Sequence, residues 1–344
     1  MRIGIHETKG VLSHRYNVSI SVLGAFFIIL IIGFGWLNTK AEKISVYKSI
    51  KLESNDLRQF LENKMIFANY HVFIMQYAVQ SKLKHPELGN PSHIEKLITE
   101  AKDKEMPFND YPEIHKELGD LQIDTSKPIY PEIYRDISAA ISMMPEVIAV
   151  KTKGVNFVWS YYYDAKKRWE VSYPFQTKEE LFKTTKTKTM TDAMEAIFIA
   201  DDTYPVEAVS PERNPSRQNV WTQPYMDVTG GGLMVTLLAP VYLDNDYIGV
   251  VGTDITLKFL DKTLLDHPLS IGRSFILDMN NNVIADSAGS LREATKVVKL
   301  PDLISEPFNN DNLHWIIESF NNSPFKLVVY IDPKEIPNKS LFGN

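Results

Sequence analysis

Trp221-Thr-Gln-Pro-Tyr225-Met-Asp227 gathers two aromatic rings and a carboxylate in one short stretch, and Asp254 closes the β-like run Tyr247-Ile-Gly-Val-Val-Gly-Thr-Asp254. Between them lie Gly230-Gly231-Gly232 and a strand-like run to Pro240-Val241-Tyr242. Two carboxylates and two aromatics on neighbouring segments of one sheet suit a small cationic or zwitterionic ligand. Aromatic faces attract a cation through the ring quadrupole. Carboxylates pair with an ammonium through charge-assisted hydrogen bonds.

Strand periodicity sharpens this picture. Asp244-Asn245-Asp246 reads as the turn of a hairpin. With the hairpin centred on Asn245, Asp254 lies opposite Thr236 and shares a face with Ile248, Val250 and Gly252. An ionised carboxylate on an otherwise apolar face needs a partner, a ligand or a water-filled mouth. Asp254 equally suits the cap of the helix suggested by residues 256–264. Spacing alone leaves both roles open. For Asp227 the simpler role is an Asx-type turn leading into the glycines.

A second aromatic group precedes these. Residues 155–161 and 168–173 read as strands joined by a turn at 164–167, and residues 147–150 also read as β. Alternation sets Trp159, Tyr161 and Tyr163 on one face, and Val158, Ser160 and Tyr162 on the other. One face could line a pocket while the other packs on a helix, and packing is the expected role of any single ring. Residues 178–202 read as helical, with the Lys-Thr alternation at 183–189 as a solvated face.

The eight histidines are scattered, with no pair at metal-ligand spacing and no HExxH, and the chain contains no cysteine. There is no GxSxG elbow, Walker loop or GxGxxG. Gly230-Gly231-Gly232 reads as a turn rather than a phosphate cradle. Asp278-Met-Asn-Asn-Asn282 imitates the start of a calcium loop, but Val283 stands where glycine is required and Gly289 where the bidentate Glu belongs. Asp201-Asp202 reads as a solvated pair. The net charge of −6 argues against a nucleic-acid partner. The expectation is binding without catalysis, with no cofactor and no metal.

The elements that must carry these residues begin with an anchor. Residues 17–37 hold no charged side chain and would span roughly 31 Å as a helix, the thickness of a bilayer core. Trp36-Leu37-Asn38-Thr39-Lys40 is a poor cleavage site, which favours an uncleaved anchor over a signal peptide. Arg2, Lys9 and Arg15 against Glu7 place the tail inside and residues after about 38 outside. No second span follows. Residues 41–83 lack Pro and Gly and read as one long helix, roughly 60 Å if unbroken. Its first half is mixed and able to pair weakly with a copy of itself. Residues 65–77 are apolar nearly all round, as for a helix buried on several sides. Residues 85–131 are broken by prolines into short helical patterns. After residue 264 a smaller unit begins, with a hairpin over 274–286 and strands near 313–320 and 325–331.

The anchor and long helix, the WSYYYDAKKRWEVSYPF pair, NPSRQNVWTQPYMD and above all APVYLDNDYIGVVGTDITLKFL resemble the double Cache sensor domain of bacterial transmembrane receptors, over about residues 38–335. That resemblance implies an α+β fold: an N-terminal transmembrane helix, a long stalk helix and two PAS-like modules with antiparallel sheets. It implies a cytoplasmic tail at 1–16, a span at 17–37, a long helix at 38–84, a membrane-distal ligand-binding module at 85–262, a membrane-proximal module at 263–335 and an exit segment at 336–344. Tyr225 and Asp227 match the family's YxD pair, Asp254 the aspartate that contacts a ligand amino group, and Trp221 a tryptophan found ahead of that pair. With Tyr161 and Tyr163 these form the candidate ligand-binding set. Amino-acid-binding members carry an Arg-x-Trp-Tyr segment that grips the ligand carboxylate, and Arg213 and Arg217 do not reproduce it, so an amine is as plausible as an amino acid. The implied setting is a homodimer in a bacterial inner membrane with a periplasmic sensor. The implied output is a cytoplasmic kinase, diguanylate cyclase or chemotaxis transducer beyond residue 344. The alternatives are an anchored enzyme and an interaction domain with a vestigial pocket.

Overall fold

The computed structural model describes residues 4–88, 91–103, 119–123, 129–154, 157–199, 205–292, 294–304 and 314–336. The anchor and the long helix are one continuous helix, α1 (Gly4–Lys84). Its apolar segment finds no protein neighbours: Ile29 is 68% exposed and Phe34 70%. By length and composition it is the one helix among the described residues able to cross a membrane.

Further along, α1 buries a single stripe. Leu57, Leu61, Met65, Ala68, Val72, Met75 and Val79 recur every three or four residues and are all buried. The expectation of a helix buried on several sides is corrected here. Ile66, Tyr70, Phe73 and Tyr77 lie on the opposite side, 45–65% exposed, because only one side of the helix has a sheet to pack on.

A seven-stranded antiparallel sheet packs against the far part of α1. Its strands are β1 (Asp120–Ile123), β2 (Ser160–Asp164), β3 (Trp169–Tyr173), β4 (Val220–Trp221), β5 (Tyr225–Asp227), β6 (Gly232–Leu243) and β7 (Asp246–Thr256). They run in the order β1-β3-β2-β7-β6-β4, with β5 also on β6. With α1, helices α2 (Pro91–Asp103), α3 (Pro131–Ile141) and α4 (Met144–Thr152) cover one side. Helices α5 (Lys178–Thr185), α6 (Met190–Ile199) and α7 (Pro205–Ala208) lie over the other.

Three local expectations need correction. Residues 147–150 belong to α4, not a strand; Pro145 in its first turn suits a helix start, and a short apolar run cannot by periodicity be told from a buried strand. The single helix over 178–202 is two, because Lys186 takes a left-handed conformation (φ 58°) and ends α5. Residues 120–123, within the proline-broken region, form an edge strand. Asp201 and Asp202 lie outside the described residues.

Helix α8 (Leu257–Leu265) follows β7 and packs on the second sheet. That sheet holds β8 (Arg273–Leu277), β9 (Asn282–Asp286), β10 (Val298–Lys299), β11 (Trp315–Ser319) and β12 (Lys326–Tyr330), in the order β10-β9-β8-β12-β11. A four-residue helix, α9 (Leu300–Leu303), follows β10. Asp278 closes the β8–β9 turn by accepting from the amides of Asn280 and Asn282, both at 2.8 Å. The division expected at 262/263 falls inside α8.

Helix α1 ranks the two sheets by distance from the apolar segment. Ile50 packs with Ile316 and Val329 of the second sheet. Glu62 accepts from the backbone amides of Asn321 and Asn322 at 2.8–3.1 Å. Gln76 donates to the Pro240 carbonyl of the first sheet at 2.6 Å. The smaller sheet therefore lies nearer the apolar segment.

Candidate functional site

Strand register decides which side chains meet. The β6–β7 turn is only two residues, Asp244 and Asn245, with Leu243 opposite Asp246 and Asp244 at φ 54°. A bulge then shifts the register between Val241 and Tyr242, so Thr236 faces Asp254 after all. The bulge also moves Ile248 away from the expected face, to pack on the α1 side. Asp254 is on the strand, and Thr256 is the residue that caps α8, accepting from the Phe259 amide at 3.2 Å. The helix-cap role for Asp254 is therefore replaced.

Three rows cross the sheet on the side away from α1. Gln122 pairs with Glu170, and Glu170 with Tyr163. Asp120 pairs with Ser172, Ser172 with Tyr161, and Tyr161 with Gly252. The Asp254 amide donates to the Trp159 carbonyl at 2.9 Å, and Asp254 faces Thr236. Gly252 is required here, since a Cβ would stand 2.6 Å from the Tyr161 ring.

These rows floor a cavity of about 50 Å³. Its lining includes the carboxylates Glu170, Asp227 and Asp254, the rings of Trp159, Tyr161, Tyr163 and Tyr225, and Gln122, with no Lys, Arg or His among the described lining residues. Tyr161 and Tyr163 stack at 4.3 Å. Met226, 41% exposed, lies at the rim.

Asp254 is 3% exposed. Thr236 Oγ1 donates to its Oδ1 at 2.6 Å, so the Tyr225 hydroxyl donates to Thr236 at 2.7 Å. Burial pushes the Asp254 carboxyl up to about 8, offset in part by the neighbouring hydroxyls. Glu170 is 3% exposed and lifted to about 8 by burial and then by Asp120. Asp120, itself raised to about 7 by burial, accepts from Gln122 Nε2 at 2.9 Å. Glu170 Oε2 and Gln122 Oε1 have no hydrogen-bond partner among the described residues.

Asp227 lines the cavity, yet local donors occupy its oxygens. Oδ1 accepts from the Thr229 amide at 2.9 Å. Oδ2 accepts from the Gly231 amide at 2.7 Å and from Trp159 Nε1 at 3.2 Å. Four lone-pair sites are thereby largely taken. The Asx-type turn is what Asp227 builds, and it holds the Trp159 ring in place.

Trp221 is the misplaced member of the expected set. It pairs with Leu237, one residue out of step with Thr236, and so faces the α1 side. Its ring meets Phe325 of the second module edge-on at 5.1 Å. Trp159 supplies the cavity's tryptophan instead. Arg217 stacks on Tyr242 at 4.0 Å beside the β6–β7 turn, away from the cavity. Trp159, Glu170 and Gln122 were missed as site residues. The first two were accessible from alternation, since the β2–β3 hairpin sets Glu170 on the face of Tyr161 and Tyr163.

Behind the cavity, β2 is tied to α1. Buried His71 shares a hydrogen bond with Ser160 Oγ at 3.1 Å, and Ser160 with Thr253 Oγ1 at 3.1 Å. Burial lowers the His71 pKa to about 4.

Residues 139–262 match the family described as methyl-accepting chemotaxis protein-like, first PDC sensor domain. This segment spans α4 to α8 and carries most of the cavity, and the match agrees with the resemblance to Cache-type sensors. Among solved structures, the ligand-binding domain of the Pseudomonas fluorescens chemoreceptor CtaA with L-leucine is similar at 12% identity and TM-score 0.45, over 86% of this chain and 97% of that one. The ligand-binding domain of Mlp24 with asparagine follows at 14% identity and TM-score 0.38, over 76% and 95%. That of Pseudomonas aeruginosa PctB with L-Gln is similar at 15% and 0.35, over 79% and 92%. No curated protein matched the chain by sequence.

Proposed function

We propose that this chain is a membrane-anchored extracytoplasmic sensor module whose larger module binds a small amine. The observation that carries this reading is a cavity lined by three carboxylates and four aromatic rings, with no cationic side chain among its described residues. An ammonium finds acceptors at Asp254 and Glu170 and ring faces at Trp159 and the tyrosines. A free carboxylate on the ligand meets no Lys or Arg there, which favours an amine over an amino acid. Asp227 acts as a positioning residue for Trp159.

The exposed apolar segment of α1 supports insertion in a membrane, with the tail inside by the positive-inside rule. Ile66, Tyr70, Phe73 and Tyr77 are spaced by four, three and four residues, the spacing of a coiled-coil seam. Chains anchored in one membrane by the same helix are held parallel, so a second copy is the occupant this stripe fits. The His71–Ser160 bond gives ligand-dependent movement of β2 a direct hold on α1. A cytoplasmic output, kinase or cyclase, would receive that movement.

The test is calorimetric titration of the chain in nanodiscs with primary amines and with neutral amino acids, in wild type and Asp254→Asn. Amine binding that is lost in the variant is expected. Amino-acid binding without amine binding, or amine binding unaffected by the substitution, overturns the reading.

A further inference from the structure

The cavity is negative at two separate places. Asp254 sits in the row of Trp159, and Glu170 in the row of Tyr163. These rows are four residues apart along β2, roughly 13 Å at 3.3 Å per residue before the side chains converge. The row between them carries Tyr161, stacked on Tyr163. Asp120 reinforces the Glu170 end, and Thr236 with Tyr225 furnishes the Asp254 end.

A single ammonium would satisfy one end and leave the acceptors of the other without a charged donor. The Glu170 end also holds two acceptors in want of donors: Glu170 Oε2 and Gln122 Oε1, on residues 3% and 2% exposed, have no partner among the described residues. An ammonium brings three donors. The free volume of about 50 Å³ is small, which favours a narrow linear ligand over a branched one.

Resting on the amine reading, we infer that the site takes a short aliphatic diamine, with one ammonium at Asp254 and the other at Glu170 and Gln122. Its methylene stem lies along the stacked tyrosines.

The chain in nanodiscs is titrated with 1,4-diaminobutane and 1-aminobutane, in wild type and Glu170→Gln. Wild type should bind the diamine at least tenfold more tightly than the monoamine. Glu170→Gln should erase that preference, and a far-UV circular-dichroism spectrum matching wild type reports that the variant is folded. Equal wild-type affinities for the two amines overturn this inference and leave the amine reading standing. A diamine preference that survives Glu170→Gln overturns it too. If neither amine binds, both readings fail together.

Discussion

Thr236 and Asp254 face each other across β6 and β7, joined by a 2.6 Å hydrogen bond from the threonine hydroxyl to Oδ1. Neither residue carries a counter-charge. The pair puts a carboxyl into a buried sheet face, held by hydroxyls rather than by a cation, and on the amine reading the ligand is its electrostatic partner.

Asp254→Asn keeps the shape and the Thr236 bond but removes the ionisable group. Amine affinity should fall roughly ten- to a hundredfold, the worth of one charged hydrogen bond. The melting temperature at pH 7 should change little. Titration and thermal denaturation on one preparation check both halves, and a large loss of stability would contradict this account.

Stability of the ligand-free protein should fall as pH rises from 7 to 8.5. Asp254 and Glu170 keep protons in the fold up to about 8, while in the unfolded chain they ionise near 4. The folded state therefore binds more protons in this window, and rising pH favours unfolding. His71, held near 4 in the fold, gives the opposite slope, but only below its ordinary value of about 6.5. A melting temperature that drops by a few degrees, and drops less in Asp254→Asn/Glu170→Gln, is the expected outcome.

By the same linkage, amine binding near pH 7 should expel about one proton or more, because the bound ammonium stabilises the ionised carboxylates. Calorimetry in two buffers of different ionisation enthalpy counts those protons. Identical heats in both buffers would rule out carboxyl deprotonation on binding.

The two tryptophans should separate cleanly. Trp221→Ala should cost about 2–4 kcal/mol of stability through its lost contact with the second module, with amine affinity unchanged. Trp159→Leu should weaken amine binding roughly ten- to thirtyfold through the lost ring face. Reversed phenotypes would restore Trp221 to the site.

The absence of native cysteine makes the α1 stripe directly testable. Phe73→Cys and Tyr70→Cys should cross-link into disulfide dimers in membranes, and Lys258→Cys, at an exposed position of α8, should not. Equal cross-linking at all three positions would point to random collision instead of a seam.

Much of this molecule was legible in residue order. The uncharged run over 17–37, the helix after it and most of the hairpin strands follow from local rules of length and period, although the strand expected over 155–161 lies at Ser160–Asp164. The Thr236–Asp254 pairing was also predicted, though the expected three-residue turn proved to be a two-residue turn plus a bulge, which together give the same register.

What only the tertiary structure decided is which face each residue shows and what covers it. Trp221 lies four residues before Tyr225, but the register of β4 on β6 turns it to the opposite side of the sheet. Glu170 looks like an ordinary strand residue until β1 brings Gln122 and Asp120 beside it from fifty residues away. The apolar girth of residues 65–77 gives no sign that one side of α1 would pack on a sheet and the other stay open. Local periodicity fixes alternation along a strand or around a helix; the sign of that alternation, and the partner it meets, depend on contacts far apart in the chain.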